Sequence, residues 1–288
     1  MGDQGIYMVQ LPRLSNAVLI AGFDGWGNAL DVSKGMVSYM IRKLKAEYFA
    51  KVNSDLFYRY DETRPFVRIE QGTLKGVSPP SGSFYAVQHD SVERDLVLLR
   101  ANEPHLRWYQ FVDELCSLCQ RLDIHTIITL GSMYDNVLHS DKIISGVTSK
   151  DDLISKLKQW NVIPIDYQGP SAIHSLIQSE AQKQGFLAVS LWCHCPYYLQ
   201  GTTHYGLLSQ LAGLLSSIGD FRLDTGELDA LWKELNRQIQ GLIDKTPELQ
   251  GVINELRKAK VRGSWASMKG STKRDEKIIQ LEDFLKPK

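Results

Sequence analysis

The chain has 288 residues, of which 43% are apolar, so it can bury one large core or a core with an appendage. Basic and acidic residues both number 33, and the resulting formal charge of zero disfavours nucleic acid and anionic membranes as partners. With no export signal and no apolar run of membrane-spanning length, we expect a cytoplasmic protein whose four cysteines are reduced thiols.

A short apolar run and a glycine loop open the predicted core. Ala17–Ala21 is too short for a helix and indicates a strand buried on both faces. The loop after it contains Gly22, Gly25 and Gly27, and apolar residues then recur at helical spacing through Leu44. Such a loop can present N–H groups to an anion, and it is also the simplest way to turn from a strand into a helix.

The pattern then changes to short β-rich segments, which predict at least one antiparallel excursion. Asn102-Glu103-Pro104 follows the last of these segments, and we expect Asn102 to cap a helix that continues through Trp108. The predicted segments are Tyr48–Val52, Leu56–Tyr60, Phe66–Ile69, Phe84–Val87 and Asp95–Leu99, with turn-rich residues at Lys75–Ser83.

Two further buried strands, Ile124–Leu130 and Phe186–Trp192, alternate with amphipathic helices. One of these helices follows Gly169-Pro170-Ser171, and another runs from Leu207 to Ile218. This alternation predicts an α/β fold, a three-layer αβα sandwich with a mixed, mostly parallel sheet, over residues 1–222.

The C-terminal part differs from this core domain. Residues 223–260 predict a helical hairpin whose apolar positions follow a near-heptad spacing, so a third surface must cover Trp232 and Ile239. That surface is either the α/β body or another subunit. Residues 261–288 are basic and polar, and we expect a partly disordered tail.

The carboxyl ends of the predicted strands meet at one edge of the sheet, where ligands of open α/β folds bind. Glu103 either contacts a ligand there or only complements the first turn of its helix. The candidate ligand-binding residues at this edge are Gly22, Phe23, Gly25, Trp26, Gly27, Asn28, Glu103, Gly131, Ser132, Gly169 and Pro170.

The sequence gives little support for a metal site or for a covalent catalytic mechanism. Cys193 and Cys195 alternate with His194 along a predicted strand, so the two thiols share one face and His194 points to the other. We therefore expect no metal and no cofactor. No serine lies in a Gly-x-Ser-x-Gly elbow, so the catalytic residues remain unknown and the sequence favours a protein that is not an enzyme.

Five sequence blocks, in this order, resemble the proteasome-assembly-chaperone-two-like family, most of all its longer bacterial members. The blocks are Gly22–Ala29, Asn102–Trp108, Gly131-Ser132 with His139–Thr148, Gln168–Ile173 and Val189–Tyr198.

The resemblance implies a fold like that of purine nucleoside phosphorylases, the label of the ATP-grasp superfamily, and a homo-oligomer, a trimer or larger. It favours another subunit as the cover of the helical hairpin. It implies a protein-interaction or assembly-chaperone-like role; the alternative is a protein or enzyme that binds a nucleotide, nucleoside or phosphate through the glycine loop. Family members that dock on the proteasome end in a hydrophobic residue, a tyrosine and any residue, whereas the sequence ends Leu-Lys-Pro-Lys. The lysines and paired carboxylates that an ATP-grasp ligase needs are not recognisable in the sequence.

Overall fold

The structure is a computed structural model that describes residues 4–88, 93–148 and 150–261. The predicted tail, apart from Val261, lies outside the described residues. The strands are β1 (Ile6–Met8), β2 (Val18–Asp24), β3 (Glu47–Val52), β4 (Phe66–Glu70), β5 (Thr73–Ser78), β6 (Gly82–Val87), β7 (Leu96–Asn102), β8 (Thr126–Asp135), β9 (Ile144–Thr148), β10 (Ile163–Pro164) and β11 (Leu187–Pro196). The helices are α1 (Val32–Lys43), α2 (Ser54–Phe57), α3 (Trp108–Arg121), α4 (Asp151–Gln159), α5 (Ile173–Lys183), α6 (Tyr205–Gly219), α7 (Gly226–Lys245) and α8 (Pro247–Val261).

Nine of these strands form one mixed sheet in the order β1-β3-β6-β7-β2-β8-β11-β9-β10. The centre, β7-β2-β8-β11, is parallel. The neighbouring strands β1-β3-β6-β7 pair antiparallel, which confirms the predicted excursion. β11 also pairs antiparallel with β9, a strand that the sequence did not predict.

The sheet is covered on both faces, which confirms the αβα sandwich. Along β2, Val18 and Ile20 belong to a core shared with α1, α6 and α7, whereas Leu19 and Ala21 belong to a second core shared with α3 and α5. This alternation follows from the two-residue period of a strand, and it explains why the run from Val18 to Ala21 has no polar residue.

The α7–α8 hairpin is part of the first of these cores. Ile239 and Ile253 are buried within the single chain, and Trp232 stacks on His204 of the body with ring centroids 4.7 Å apart. The Tyr39 hydroxyl also donates a hydrogen bond to the carbonyl of Asp224. The expectation that another subunit covers this hairpin is therefore wrong, because the α/β body supplies the surface that the apolar positions need.

The predicted elements before and after the β4–β5 region differ from the structure. Leu56–Tyr60 was expected in a β-rich segment, but Leu56 lies in the single helical turn α2. The helix expected after Asn102 begins only at Trp108, because Asn102 is still part of β7 and its side-chain oxygen accepts the N–H of Ser81.

The β4–β5 hairpin pairs only with itself and forms a separate two-stranded sheet in the described structure. Every residue of both strands is exposed. Part of the segment expected to be turn-rich, from Lys75 to Ser78, is the second strand of this hairpin. No helix in the described ranges is long and apolar enough to cross a membrane.

Candidate functional site

The candidate residues lie around the carboxyl ends of β2, β7, β8 and β11. The loop after β2 meets the end of β7 directly: a Cβ on Gly25 would lie 2.8 Å from the Cβ of Glu103, and Gly25 has a φ of +149° that other residues rarely adopt. The same loop reaches β8, because the N–H of Ser132 donates to the carbonyl of Gly27 over 2.8 Å. The predicted convergence of the strand ends is therefore present, whereas ligand binding stays a prediction.

Glu103 joins the loop to α5. One carboxylate oxygen accepts the backbone N–H of Trp26 at 3.2 Å, and the other accepts the N–H of Ile173, the first residue of α5, at 2.8 Å. Its own N–H donates to the carbonyl of Asp24. Glu103 thus complements a helix N-terminus, as one interpretation predicted, but the helix is α5 rather than its own.

Asn28 makes the corresponding contacts at α1. Its side-chain oxygen accepts the N–H groups of Ser33 and Lys34 at 3.0 and 3.2 Å, and its amide donates to Asp24 and Asp31. Lys34 forms an ion pair with Asp24 at 2.6 Å. The first turn of α1, which the sequence offered as an anion site, therefore already has its partner within the chain.

The buried end of the loop is also paired internally. The Ser33 hydroxyl accepts the N–H of Phe23 and donates to the carbonyl of Leu130. A Cβ on Gly22 would lie 2.5 Å from the carbonyl oxygen of Ser33, so this glycine permits α1 to approach the sheet closely. Its role in the structure is packing between strand and helix.

The other glycines make room for aromatic rings. A Cβ on Gly131 would lie 2.6 Å from the Trp192 ring, and one on Gly27 would lie 3.1 Å from the same ring. A Cβ on Gly169 would lie 2.7 Å from the hydroxyl of Tyr167, which donates to the carbonyl of Pro170. Three of the predicted glycines therefore position the indole of Trp192 and the phenol of Tyr167.

These rings border a cavity of about 660 Å³, which we call the aromatic cleft. Trp26 and Tyr167 are 65% and 62% exposed, and Tyr197 stacks on Tyr134 with centroids 5.2 Å apart. Of the described residues, none that lines the aromatic cleft is charged. Its lining residues are Gly25, Trp26, Asn28, Ala29, Ser132, Met133, Tyr134, Val147, Ile165, Tyr167, Pro170, Ser171, Ala172, Ser175, Trp192 and Tyr197.

A second cleft, of about 630 Å³, lies on the other side of Trp26 and is acidic. Asp24, Glu62 and Glu103 contribute carboxylates to its lining, and His105 contributes an imidazole. Each of these carboxylates has a partner on the chain; Glu62, for example, pairs with Arg59 at 2.6 Å. The carboxylates beside the candidate site are therefore already paired within the chain, Asp24 with the ammonium of Lys34.

The neutral His174 lies beneath the aromatic cleft. Burial lowers the pKa of its imidazole to about 4, so it is uncharged at neutral pH. Its Nε2 lies 2.7 Å from the carbonyl of Leu130 and must carry the proton, and the ring contacts Trp192 at a centroid distance of 4.9 Å. No positive charge from His174 is available to an anion in the cleft.

A hydrogen-bonded chain that the sequence did not reveal joins β8, β11 and β9. Nδ1 of His194 lies 2.7 Å from a carboxylate oxygen of Asp135, and its Nε2 lies 2.9 Å from the hydroxyl of Ser145. This order of groups is that of a hydrolase triad, but Ser145 is fully buried, so its hydroxyl is not exposed to a substrate. These two hydrogen bonds connect β9 to β11 and β8 within the sheet.

The cysteines follow the predicted face pattern. Cys193 and Cys195 are buried in the core shared with α6, and burial raises the pKa of the Cys193 thiol to about 12. Cys116 and Cys119 are buried within α3. Among the described residues, no three His, Cys, Asp or Glu side chains are grouped so that they could hold a metal ion.

The model of the PAC2 family matches residues 19–243. A PAC2 family protein from Streptomyces avermitilis is 28% identical, with a TM-score of 0.74 over 82% of this chain and 99% of that one. The chain has no significant match among curated protein sequences.

Two further structures are similar in fold. A proteasome-assembly chaperone homologue from Mycobacterium tuberculosis is 24% identical, with a TM-score of 0.75 over 82% of this chain and 99% of that one. An archaeal proteasome activator from Pyrococcus furiosus is 18% identical, with a TM-score of 0.62 over 83% of this chain and 99% of that one. The ATP-grasp label finds no support in these matches.

Proposed function

The chain belongs to the PAC2 family, and from this membership we propose that it works through protein–protein contact, in an assembly-chaperone-like role, as a homo-oligomer. The observation that carries the proposal is the exposed β4–β5 hairpin. Structural relatives described as a proteasome-assembly chaperone homologue and as a proteasome activator support a role of this class.

The hairpin has one apolar face. Val67 pairs with Val77, and Ile69 pairs with Leu74, so the side chains of each pair lie on the same side of the two-stranded sheet. A β-bulge leaves Lys75 unpaired between these two pairs and keeps both on one face. The four side chains are between 48% and 61% exposed.

Such a face favours a partner. A two-stranded hairpin is at best marginally stable in water unless its apolar face packs against something, and soluble monomers rarely expose contiguous apolar patches. In the described chain, β4 and β5 pair with no other strand. We assign the cover to another copy of the chain, because contacts between like subunits close symmetric oligomers.

The test compares two lysine substitutions on opposite faces of the hairpin. Ile69→Lys places a charge in the proposed contact, whereas Phe66→Lys places the same charge on the other face, where Phe66 is also exposed. Light scattering should give an oligomer for the wild-type protein and for Phe66→Lys, and a lower mass for Ile69→Lys. Circular dichroism confirms that both variants are folded.

The outcomes separate the parts of the proposal. A wild-type protein that is monomeric at all accessible concentrations would overturn the homo-oligomer. An oligomer that Ile69→Lys leaves intact would show that another surface makes the contact, and the hairpin would lose its proposed role.

A further inference from the structure

Exposed aromatic rings line the aromatic cleft. Trp26, Tyr167 and Tyr197 are all exposed, although tryptophan and tyrosine side chains bury large apolar areas when they can. The cleft lies at the carboxyl ends of β2, β8 and β11, where open α/β sheets bind ligands. Its volume of about 660 Å³ is within the range of small-molecule sites, roughly 300–1,000 Å³.

Two of the rings, those of Trp192 and Tyr167, are fixed before any ligand arrives. Trp192 donates from its indole nitrogen to the Ser190 hydroxyl over 2.9 Å and packs on the Cα atoms of Gly27 and Gly131. Tyr167 is held by its hydrogen bond to the carbonyl of Pro170. A rigid stacking surface of this kind loses little conformational entropy when a flat molecule binds.

Charge decides between classes of flat molecule. The aromatic cleft has no charged lining residue in the described chain, and the acidic cleft that shares Gly25 and Trp26 with it is lined by Asp24 and Glu103. The N–H groups of Trp26 and Ile173 that could hold a phosphate already donate to Glu103. The ammonium of Lys34 is likewise held by Asp24 at 2.6 Å, so an anion in the cleft would have to displace a carboxylate to gain a donor.

From these observations we propose that the aromatic cleft binds an uncharged planar heteroaromatic molecule of the nucleoside class. The base stacks on the faces of Trp26 and Tyr167, and a phosphate group on the ligand weakens its binding. This goes beyond the proposed protein-contact function and is independent of it, since the β4–β5 hairpin contributes no residue to the cleft.

The test is isothermal titration of the full chain with adenosine, guanosine, their 5′-monophosphates and inorganic phosphate. We expect at least one nucleoside to bind, its monophosphate to bind about tenfold or more weakly, and phosphate alone not to bind. Trp26→Ala and Tyr167→Ala should each weaken nucleoside binding about tenfold, because stacking on an aromatic side chain contributes that order of affinity. Tyr109→Ala removes an equally exposed ring from α3 and should change nothing.

Two results would overturn the proposal. The first is no binding of either nucleoside at millimolar concentration. The second is monophosphate binding as tight as that of the nucleoside, which would restore an anion site. If the first result is accompanied by binding of phenylalanine amide, the cleft is reassigned to an aromatic side chain of a protein partner. Circular dichroism of the variants separates lost binding from lost folding.

Discussion

The molecule contains two hairpins with apolar faces, and they differ in what covers them. The α7–α8 hairpin buries Ile239 and Ile253 against the body of its own chain, whereas the β4–β5 hairpin leaves Ile69 and Leu74 more than half exposed. The near-heptad spacing identifies the apolar face of the first, whereas the bulge at Lys75 breaks the strand period in the second. What distinguishes an intramolecular contact from a surface free for a partner is the position of each hairpin relative to the sheet, and that position is set by the whole fold.

The largest effect should come from truncating one isoleucine in each hairpin. Ile239→Ala creates a cavity in the core and should lower the free energy of unfolding by about 2–5 kcal/mol, whereas Ile69→Ala should change it by less than about 0.5 kcal/mol. Urea denaturation at low protein concentration, where association is weak, measures both. Equal losses for the two variants would remove the distinction between the hairpins.

The sequence predicts the layers of the fold well, because they depend on local period. The runs around Val18 and Val189 consist almost entirely of apolar residues, and the structure buries both at the centre of the sheet. The sequence fails where a long-range contact decides. Nothing local marks Ile144–Thr148 as a strand, since its pairing with β11 determines it.

The candidate site shows the same limit. The glycines at positions 27, 131 and 169 mark the correct edge of the sheet, but their interpretation as an anion loop depends on which atoms lie opposite them. In the structure those atoms belong to Trp192 and Tyr167. Likewise, Ser145 meets His194 only because β9 lies beside β11, and no sequence spacing encodes that register.

Acid should affect the helical hairpin through His204. This imidazole stacks on Trp232, and burial lowers its pKa to about 3, so the folded chain keeps it neutral while the unfolded chain protonates it near pH 6.5. The folded state thus binds fewer protons below pH 6.5, and the free energy of unfolding should fall as the pH decreases from about 6.5 towards 3. Between pH 6.5 and 4, the loss is on the order of 3 kcal/mol.

His204→Asn tests the assignment. Asparagine can replace the hydrogen bond that Nδ1 of His204 accepts from the N–H of Leu207, but it does not titrate, so the variant should lose less stability between pH 6.5 and 4. His125→Asn is the control, because His125 is exposed. A wild-type slope in His204→Asn would place the acid sensitivity elsewhere.

The smallest effect should come from the ion pairs between α1 and the helical hairpin. Arg42 donates two hydrogen bonds to Glu227 at 2.8 and 3.2 Å, and Lys43 pairs with Asp224 at 2.9 Å, but all four side chains reach solvent. Exposed pairs contribute little, because water screens the charges and ordering two long side chains has an entropic cost. Glu227→Gln keeps the shape of the side chain and removes its charge. We expect no measurable difference from the wild-type protein in urea denaturation at low salt or in 1 M NaCl.

A lower free energy of unfolding of Glu227→Gln at low salt that disappears in 1 M NaCl would mean that charge, rather than the burial of Ile239 and Trp232, holds the helical hairpin on the body. The contrast with the β4–β5 hairpin would then depend on ionic strength instead of on buried apolar area.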